Sequence, residues 1–339
     1  MKAVIQNGYG APGAVLSYGE APTPTPGPDD VLVAVRAASL NAREWHLMRG
    51  DPYVARLTPG MSLRAPRGRV VGTDFAGTVV AVGTGVTDLK EGDDVYGEVD
   101  GAFAEYVRAP RRLVGVMPAN LTHEQAAAVP LAGNTALECL RDEAKVVAGQ
   151  RLLVNGASGG VGTFAVQIGR ALGADVTGVC STRNVDLVRS LGAGHVVDYA
   201  REDFVHSGRY DVVLDLVGNR SLKDLRRCVT DGGTLVLSGG GTSTGGSLVG
   251  PMGLFIRGSL AARFSRRHRI LTPQPKPARE KFDALTALLE AGTVVPAIDR
   301  TYPLSAASDA IRYLEEEHAR AKVVLTIGQS GTFRTPRVL

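Results

Sequence analysis

The sequence predicts an α/β protein in two parts, a doubly wound parallel sheet and a smaller β-rich, partly open barrel. Three observations carry this. Residues 1 to about 125 hold short β-branched runs broken by Gly, Pro and Asp. From Gln150 onward, strand patterns alternate with helical ones. The alternation opens with residues 152–173, LLVNGASGGVGTFAVQIGRALG, an apolar strand that passes through a glycine-rich turn into an apolar-periodic helix. Close-spaced short strands point to a barrel, whereas alternation points to a parallel sheet with helices on both faces.

Composition sets the bounds. At 339 residues the chain is long enough for two full cores. With 44% hydrophobic and 21% charged residues it reads as globular rather than disordered. A net charge of +4 with scattered Lys and Arg gives no nucleic-acid footprint. Cys139, Cys180 and Cys228 lie far apart, so neither a CxxC pair nor a disulfide framework is on offer, and a reducing cytosol is expected. The N-terminal MKAVIQNGYG runs straight into a strand pattern, so no signal peptide is expected. No apolar run approaches a membrane span, so no stable membrane insertion is expected.

Taken in order, residues 2–6, 31–38, 69–76 and 79–82 read as strands, with the Pro-rich 22–30 as a connecting loop. Residues 86–96 form a turn entering a strand, and 101–107 a further strand. Thr122 is a helix N-cap, and the helical stretch behind it is interrupted by Pro130. Strands follow at 152–155, 176–180, 195–198, 211–215 and 234–238, with a helix at 280–292. A short extended run at 301–304, a helix at 306–317 and a strand at 322–327 return to the first domain, and 328–339 form a polar tail. The expected division is therefore 1–125 with 297–339 as the barrel-like domain and 126–296 as the parallel-sheet domain.

The turn through Gly156, Gly159, Gly160 and Gly162 has the context of a dinucleotide fingerprint. Glycines let the backbone approach a pyrophosphate, and the helix start offers N–H groups and partial positive charge. The second strand ends at Ser181-Thr182-Arg183 without a carboxylate to bind ribose hydroxyls. That favours NADPH over NADH, with Arg183 on the 2′-phosphate and Tyr199, closing the third strand, near enough to join it. The alternatives are an Arg183 that faces solvent and a Tyr199 that is a packed surface aromatic.

With these motifs, VVDYAREDF (196–204), YDVVLDLVGN (210–219) and PLAGNTAL (130–137), the chain resembles the medium-chain dehydrogenase/reductase superfamily. It is most similar to the zinc-independent quinone oxidoreductase branch, near the reticulon-4-interacting-protein-like members, over nearly all of residues 1–328. The resemblance implies a GroES-like catalytic domain, a Rossmann domain and a cleft between them. It puts Ser158, Gly160 and Val161 on the pyrophosphate, and Ser181, Arg183 and Tyr199 on the 2′-phosphate side. Val217, Gly218, Ser238, Gly239 and Gly240 fall at later strand ends along the cofactor; Thr135 lies beside the nicotinamide and Asn41 at the reaction site.

Where the zinc branch carries its first Cys, this chain has Ser39-Leu40-Asn41, and in place of Gly-His-Glu it has Gly72-Thr73-Asp74. The four-cysteine lobe is also missing, so no metal is expected. Without a Lewis acid, a conjugated alkene or a quinone is a better hydride acceptor than a plain ketone. The small-molecule substrate is expected to be an enone, an enoyl thioester or a quinone. In related enoyl reductases a Tyr follows the Asn-to-Gly interval that Asn41 and Gly50 keep; here it stands one place late, at Tyr53, behind Pro52. His46 is the other proton-donor candidate. Against these roles stand a lid-packing Tyr53 and a surface or capping His46, and Glu44 reads equally as a structural salt-bridge partner.

Residues 239–277 open as a Gly/Ser loop, continue as an apolar helix at 252–264 and end in the basic run Arg266-Arg267-His268-Arg269. They read as a cleft wall with an edge strand at 270–271 and a homodimer contact, with an anionic-substrate contact or a membrane-surface helix as alternatives. The competing functional classes are a ketone or aldehyde reductase of a biosynthetic pathway and an NADPH-binding interaction protein with little turnover.

Overall fold

The computed structural model describes residues 1–51, 53, 56, 66, 68–239, 252–317 and 319–328. The first part begins with β1 (Lys2–Gln6), the short helix α1 (Pro12–Val15) and β2 (Leu16–Glu20), then β3 (Asp30–Ser39) and α2 (Ala42–Arg49). It continues through β4 (Arg69–Val70), β5 (Asp74–Val82), β6 (Asp94–Glu98), β7 (Tyr106–Pro110) and β8 (Val114–Val116). β1 pairs antiparallel with β2 and β4 in a three-stranded sheet.

Helix α3 (His123–Ala127) is capped as the sequence predicts. Gln125 N donates to Thr122 Oγ1 (3.3 Å) and Thr122 N donates to Gln125 Oε1 (3.0 Å), a reciprocal capping box. Pro130 starts the next helix, α4 (Pro130–Leu137), at a position where a missing N–H costs nothing. Then come β9 (Arg151–Asn155), α5 (Gly160–Ala171), β10 (Asp175–Cys180), α6 (Val185–Ser190), β11 (His195–Asp198), β12 (Tyr210–Asp215), α7 (Leu222–Arg227) and β13 (Val229–Leu237). Helix α8 (Met252–Phe264), β14 (Arg269–Leu271) and α9 (Arg279–Glu290) follow. The six strands form an all-parallel sheet in the order β11-β10-β9-β12-β13-β14, a doubly wound arrangement with Leu152, Val154 and Leu214 in the core on one face and Leu153, Val213 and Leu235 in the core on the other.

The chain closes with β15 (Ile298–Pro303), α10 (Ala307–Glu316) and β16 (Lys322–Thr326). β16 pairs antiparallel with β3, giving a sheet in the order β15-β16-β3-β5-β6-β8 with β7 also on β3. Among the described residues this sheet does not close on itself, so the barrel is partly open. The fold class agrees with the sequence reading. Some boundaries differ: the run 69–76 splits between β4 and β5, and 101–107 is strand only from Tyr106. Val70 belongs to the β1 sheet and Asp74 to the β3 sheet, a change of partner that β-branched composition does not encode. No described helix is long and apolar enough to cross a membrane. Tyr96 Oη bonds to Phe282 O (3.2 Å) and Thr286 Oγ1 (2.9 Å), tying β6 to α9 across the two sheets.

Candidate active site

Because β9 to β13 are parallel, their last residues share one edge. Directly after β9 the chain turns at Gly156, whose φ of +89° is open to glycine at little cost. A Cβ on Gly162 would lie 2.1 Å from Gly156 O, so the turn folds on its own backbone with no room for a side chain. Helix α5 then starts with Gly159 as N-cap and no side chain capping it, which leaves its first N–H groups and its dipole for a ligand. Gly159, Gly160 and Val161 lie in this start. Ser158 Oγ accepts from Asn184 Nδ2 (3.0 Å), and the same amide reaches Ser181 Oγ (3.3 Å), so a buried Asn joins the turn to the tip of β10.

Further along the edge Asp215 organises the later strand ends. Its Oδ1 accepts from Asn155 Nδ2 (2.8 Å), Val217 N (3.2 Å) and Gly218 N (3.1 Å), and its backbone oxygen accepts from Ser238 N and Gly239 N (both 2.9 Å). Burial raises the Asp215 carboxyl above its usual range. Gly240 lies outside the described residues. Arg183 is exposed and donates Nη2 to Glu317 O (3.0 Å), just beyond the end of α10. Tyr199 is 55% exposed. The tip is not without a carboxylate, however: Thr182 Oγ1 donates to Asp198 Oδ2 (2.7 Å), and that bond holds the Asp198 carboxyl low. The residue comes from the neighbouring strand, so reading β10 alone missed it.

The reaction side is built on Lys322, 2% exposed at the start of β16. Its Nζ donates to Leu40 O (2.9 Å) and Asn41 Oδ1 (2.5 Å) and lies 3.4 Å from Asp74 Oδ2. Asn41 Nδ2 donates to the same Asp74 oxygen (3.0 Å) and lies 3.4 Å from Thr73 Oγ1. Ser39 Oγ also donates to Asp74 Oδ2 (3.1 Å), and Leu131 N at the start of α4 donates to Oδ1 (3.2 Å). Burial pushes the Asp74 carboxyl up against the pull of Lys322. Glu44 closes a capping box on α2, accepting from Asn41 N (2.6 Å) and Thr73 Oγ1 (2.5 Å); burial raises its pKa to about 7. Glu98 is likewise raised by burial and by the nearby Asp74 charge. Thr135 and Asn134 are buried on α4, and the Asn134 side chain faces the Glu98 carboxyl, whose charged form it favours.

The two clusters are contiguous. Ala321 N donates to Ser158 O (2.7 Å), and a Cβ on Gly160 would touch Lys322 Cδ at 3.2 Å. One residue of chain thus separates a bond to the glycine turn from the ammonium that holds Asn41. Tyr53 and His46 stand apart from this network. Tyr53 is 44% exposed with Arg56 Cζ 4.6 Å over its ring, and Pro52 lies outside the described residues. His46 stacks on Trp45 (3.8 Å between centroids), its Nδ1 is 3.3 Å from Asp51 O, and burial lowers its pKa. Sequence reasoning missed Lys322, Glu98 and Asn134. A lysine opening the apolar run KVVLT was the available signal for the first; for the other two, buried only through tertiary packing, there was none.

The glycine cradle and the uncapped α5 start fit a dinucleotide. Asn184 Oδ1 and Asp215 Oδ2, both buried without a protein partner, are groups that a ligand rich in hydroxyls and amides would satisfy. A zinc ion does not fit between Asn41 and Asp74, because the Lys322 ammonium already stands there and would repel a second cation.

This geometry is that of a two-domain dinucleotide enzyme, and comparison with known proteins agrees. Residues 27–120 match the family model described as "Alcohol dehydrogenase GroES-like domain", and residues 191–325 the one described as "Zinc-binding dehydrogenase". The chain is 30% identical to a chloroplast envelope quinone oxidoreductase homolog of Arabidopsis thaliana, over 96% of this chain and 98% of that protein. It is 31% identical to an NADPH-dependent alkenal/one oxidoreductase of the same plant, over 96% of this chain and 79% of the other. A structure of Escherichia coli quinone oxidoreductase complexed with NADPH superimposes with a TM-score of 0.80 at 25% identity, covering 96% of this chain and 100% of that one. The chain belongs to the quinone oxidoreductase family of the medium-chain dehydrogenase/reductases, which are nicotinamide-dependent oxidoreductases.

Proposed function

We propose that the protein is an NADPH-dependent reductase of conjugated alkenes or quinones that works without a metal. The observation that carries this reading is the contiguity of the glycine turn with the Lys322–Asn41–Asp74 network. When bound, NADPH supplies a hydride. Gly156, Ser158, Gly159, Gly160 and Val161 hold its pyrophosphate, Ser181, Arg183 and Tyr199 its 2′-phosphate, and Val217, Gly218, Ser238 and Gly239 its further length. Thr135, buried on α4, orients the nicotinamide end. Lys322 and Asp74 fix Asn41, leaving it no freedom to turn away as charge develops on the substrate oxygen. The proton that completes the reduction is assigned to one of the two donors the sequence offers, the exposed Tyr53 or the buried His46 stacked on Trp45. The Arabidopsis relative named as an alkenal/one oxidoreductase and the NADPH complex of the Escherichia coli relative support the choice of acceptor and cofactor. We also assign residues 1–125 with 297–339 to the catalytic domain and 126–296 to the cofactor domain, expect a homodimer, and place the protein in a reducing compartment such as the cytosol, consistent with three buried free cysteines.

The test is NADPH oxidation across a panel of quinones, enones, enoyl thioesters, ketones and aldehydes. Turnover confined to quinones or conjugated alkenes is expected. Turnover of simple ketones alone, or tight NADPH binding with no turnover on any acceptor, contradicts the proposal. Where Tyr53 is the donor, Tyr53→Phe should lower kcat at least tenfold with KM little changed; an unchanged kcat removes Tyr53 from the mechanism.

A further inference from the structure

The parallel sheet has a second edge, at the N-terminal ends of its strands, about 15–20 Å from the cofactor edge for strands of this length. A cavity of about 410 Å³ opens there, lined by Arg209, Lys223, Arg226, Arg227, Arg267 and His268, with Leu222 as an apolar wall. The topology gathers these residues. Arg209 immediately precedes β12, Arg267 and His268 precede β14, and Arg226 and Arg227 close α7. The basic run near residue 268, read from the sequence as part of a cleft wall or an anionic-substrate contact, is therefore remote from the cofactor edge and does not belong to the substrate cleft.

Two features of this cavity call for a counterpart, although its cations other than Arg226 are exposed to solvent. Five cationic side chains share it, and the acidic group paired with them among the described residues is Asp231, 2.7 Å from Arg267 and 3.7 Å from Arg209. Lys223, Arg226 and Arg227 have no ion-pair partner among the described residues. His268 is 7% exposed, and neither ring nitrogen has a hydrogen-bond partner. A buried polar group left without a protein partner is costly and suits a ligand that can pair with it. One kind of ligand relieves both: an anion that neutralises the arginines and accepts from the imidazole. The cavity is large for a single phosphate, since a water fills about 30 Å³, and its uncompensated charge is near +4.

We propose that this cavity binds a small ligand carrying two or three linked phosphoryl groups, at a site separate from the one that holds the reducing cofactor. Bidentate guanidinium contacts supply the affinity and His268 a further hydrogen bond. Burial and the charges of Arg226, Arg267 and Arg209 hold the His268 pKa below its usual value against the pull of Asp231, and a bound anion would raise it.

The experiment is isothermal titration of inorganic triphosphate, and separately of ADP, into the full chain saturated with NADPH at fixed ionic strength, so that the cofactor edge is already filled. Micromolar binding is expected, weakened at least tenfold in Arg226→Gln/Arg227→Gln and unchanged in Arg112→Gln, a charge loss elsewhere on the surface. Comparable affinities would identify the phosphates as the recognised group, and a tighter ADP would point to a nucleotide as their source. An NMR titration of His268 should show its midpoint rising when triphosphate is added. Failure to bind at millimolar triphosphate, equal binding by the double variant, or binding of heparin or long DNA alone would each overturn the site. Basal NADPH turnover in Arg226→Gln/Arg227→Gln should match the parent, so the outcome is read apart from the proposed reductase activity.

Discussion

Lys322→Met removes the one cation that, among the described residues, holds Asn41 and Asp74 together. The ammonium is 2% exposed and Asp74 is fully buried, so the loss leaves a carboxyl with no charge partner in a dry site. Breaking one side of such a pair costs about 3–5 kcal/mol. The lower end is expected here, because burial already inclines Asp74 toward its neutral form, which needs no counter-ion. Met keeps most of the aliphatic stem, including the part packed near Gly160, so the cost is electrostatic and not a cavity. Urea denaturation at neutral pH should show a loss of about 3 kcal/mol. The double variant Lys322→Met/Asp74→Asn should recover more than half of it, because it leaves no buried charge behind. A loss below about 1 kcal/mol, or a double variant no better than the single one, would refute the claim that Lys322 is the electrostatic centre of the site.

Glu44 holds its proton in the folded state up to about pH 7 but releases it near 4.5 when unfolded. The stability this gives is present below pH 4.5 and is lost as pH rises through 7, a change of roughly 3 kcal/mol at most. Glu44→Gln can still accept from Asn41 N and donate to Thr73, so it should flatten the pH dependence of Tm between pH 4.5 and 7; an unchanged slope would assign that dependence elsewhere. Gly162→Ala places a Cβ 2.1 Å from Gly156 O and should weaken NADPH binding at least tenfold by fluorescence titration. Gly13→Ala, which meets nothing within 4 Å, serves as the control and should bind NADPH like the parent.

What the sequence disclosed follows the range of the forces involved. The strand–glycine–helix unit at 152–173 is local, so the turn, the uncapped helix start and the parallel sheet could be read directly. Thr122, Gln125 and Pro130 likewise signal α3 and α4 through backbone hydrogen bonds a few residues apart. The Lys322 network could not be read in this way. Its members come from the junction of β3 with α2, from β5 and from β16, with Lys322 and Asn41 separated by 281 residues. Asp198 was visible, but its bond to Thr182 exists only because β10 and β11 are neighbours. The reading of residues 266–269 as a possible substrate contact was set aside by topology, since those residues enter a parallel strand and so lie at the edge opposite the cofactor.

The proposed choice of NADPH over NADH turns on Arg183 meeting the 2′-phosphate, and a paired titration tests it. Dissociation constants for NADPH and NADH are measured on the parent protein and on Arg183→Glu, with Tm confirming that both are folded despite loss of the bond to Glu317 O. The account predicts that the variant loses at least tenfold in NADPH affinity while NADH changes less than threefold. Equal weakening of both coenzymes, or a parent that prefers NADH, would contradict it.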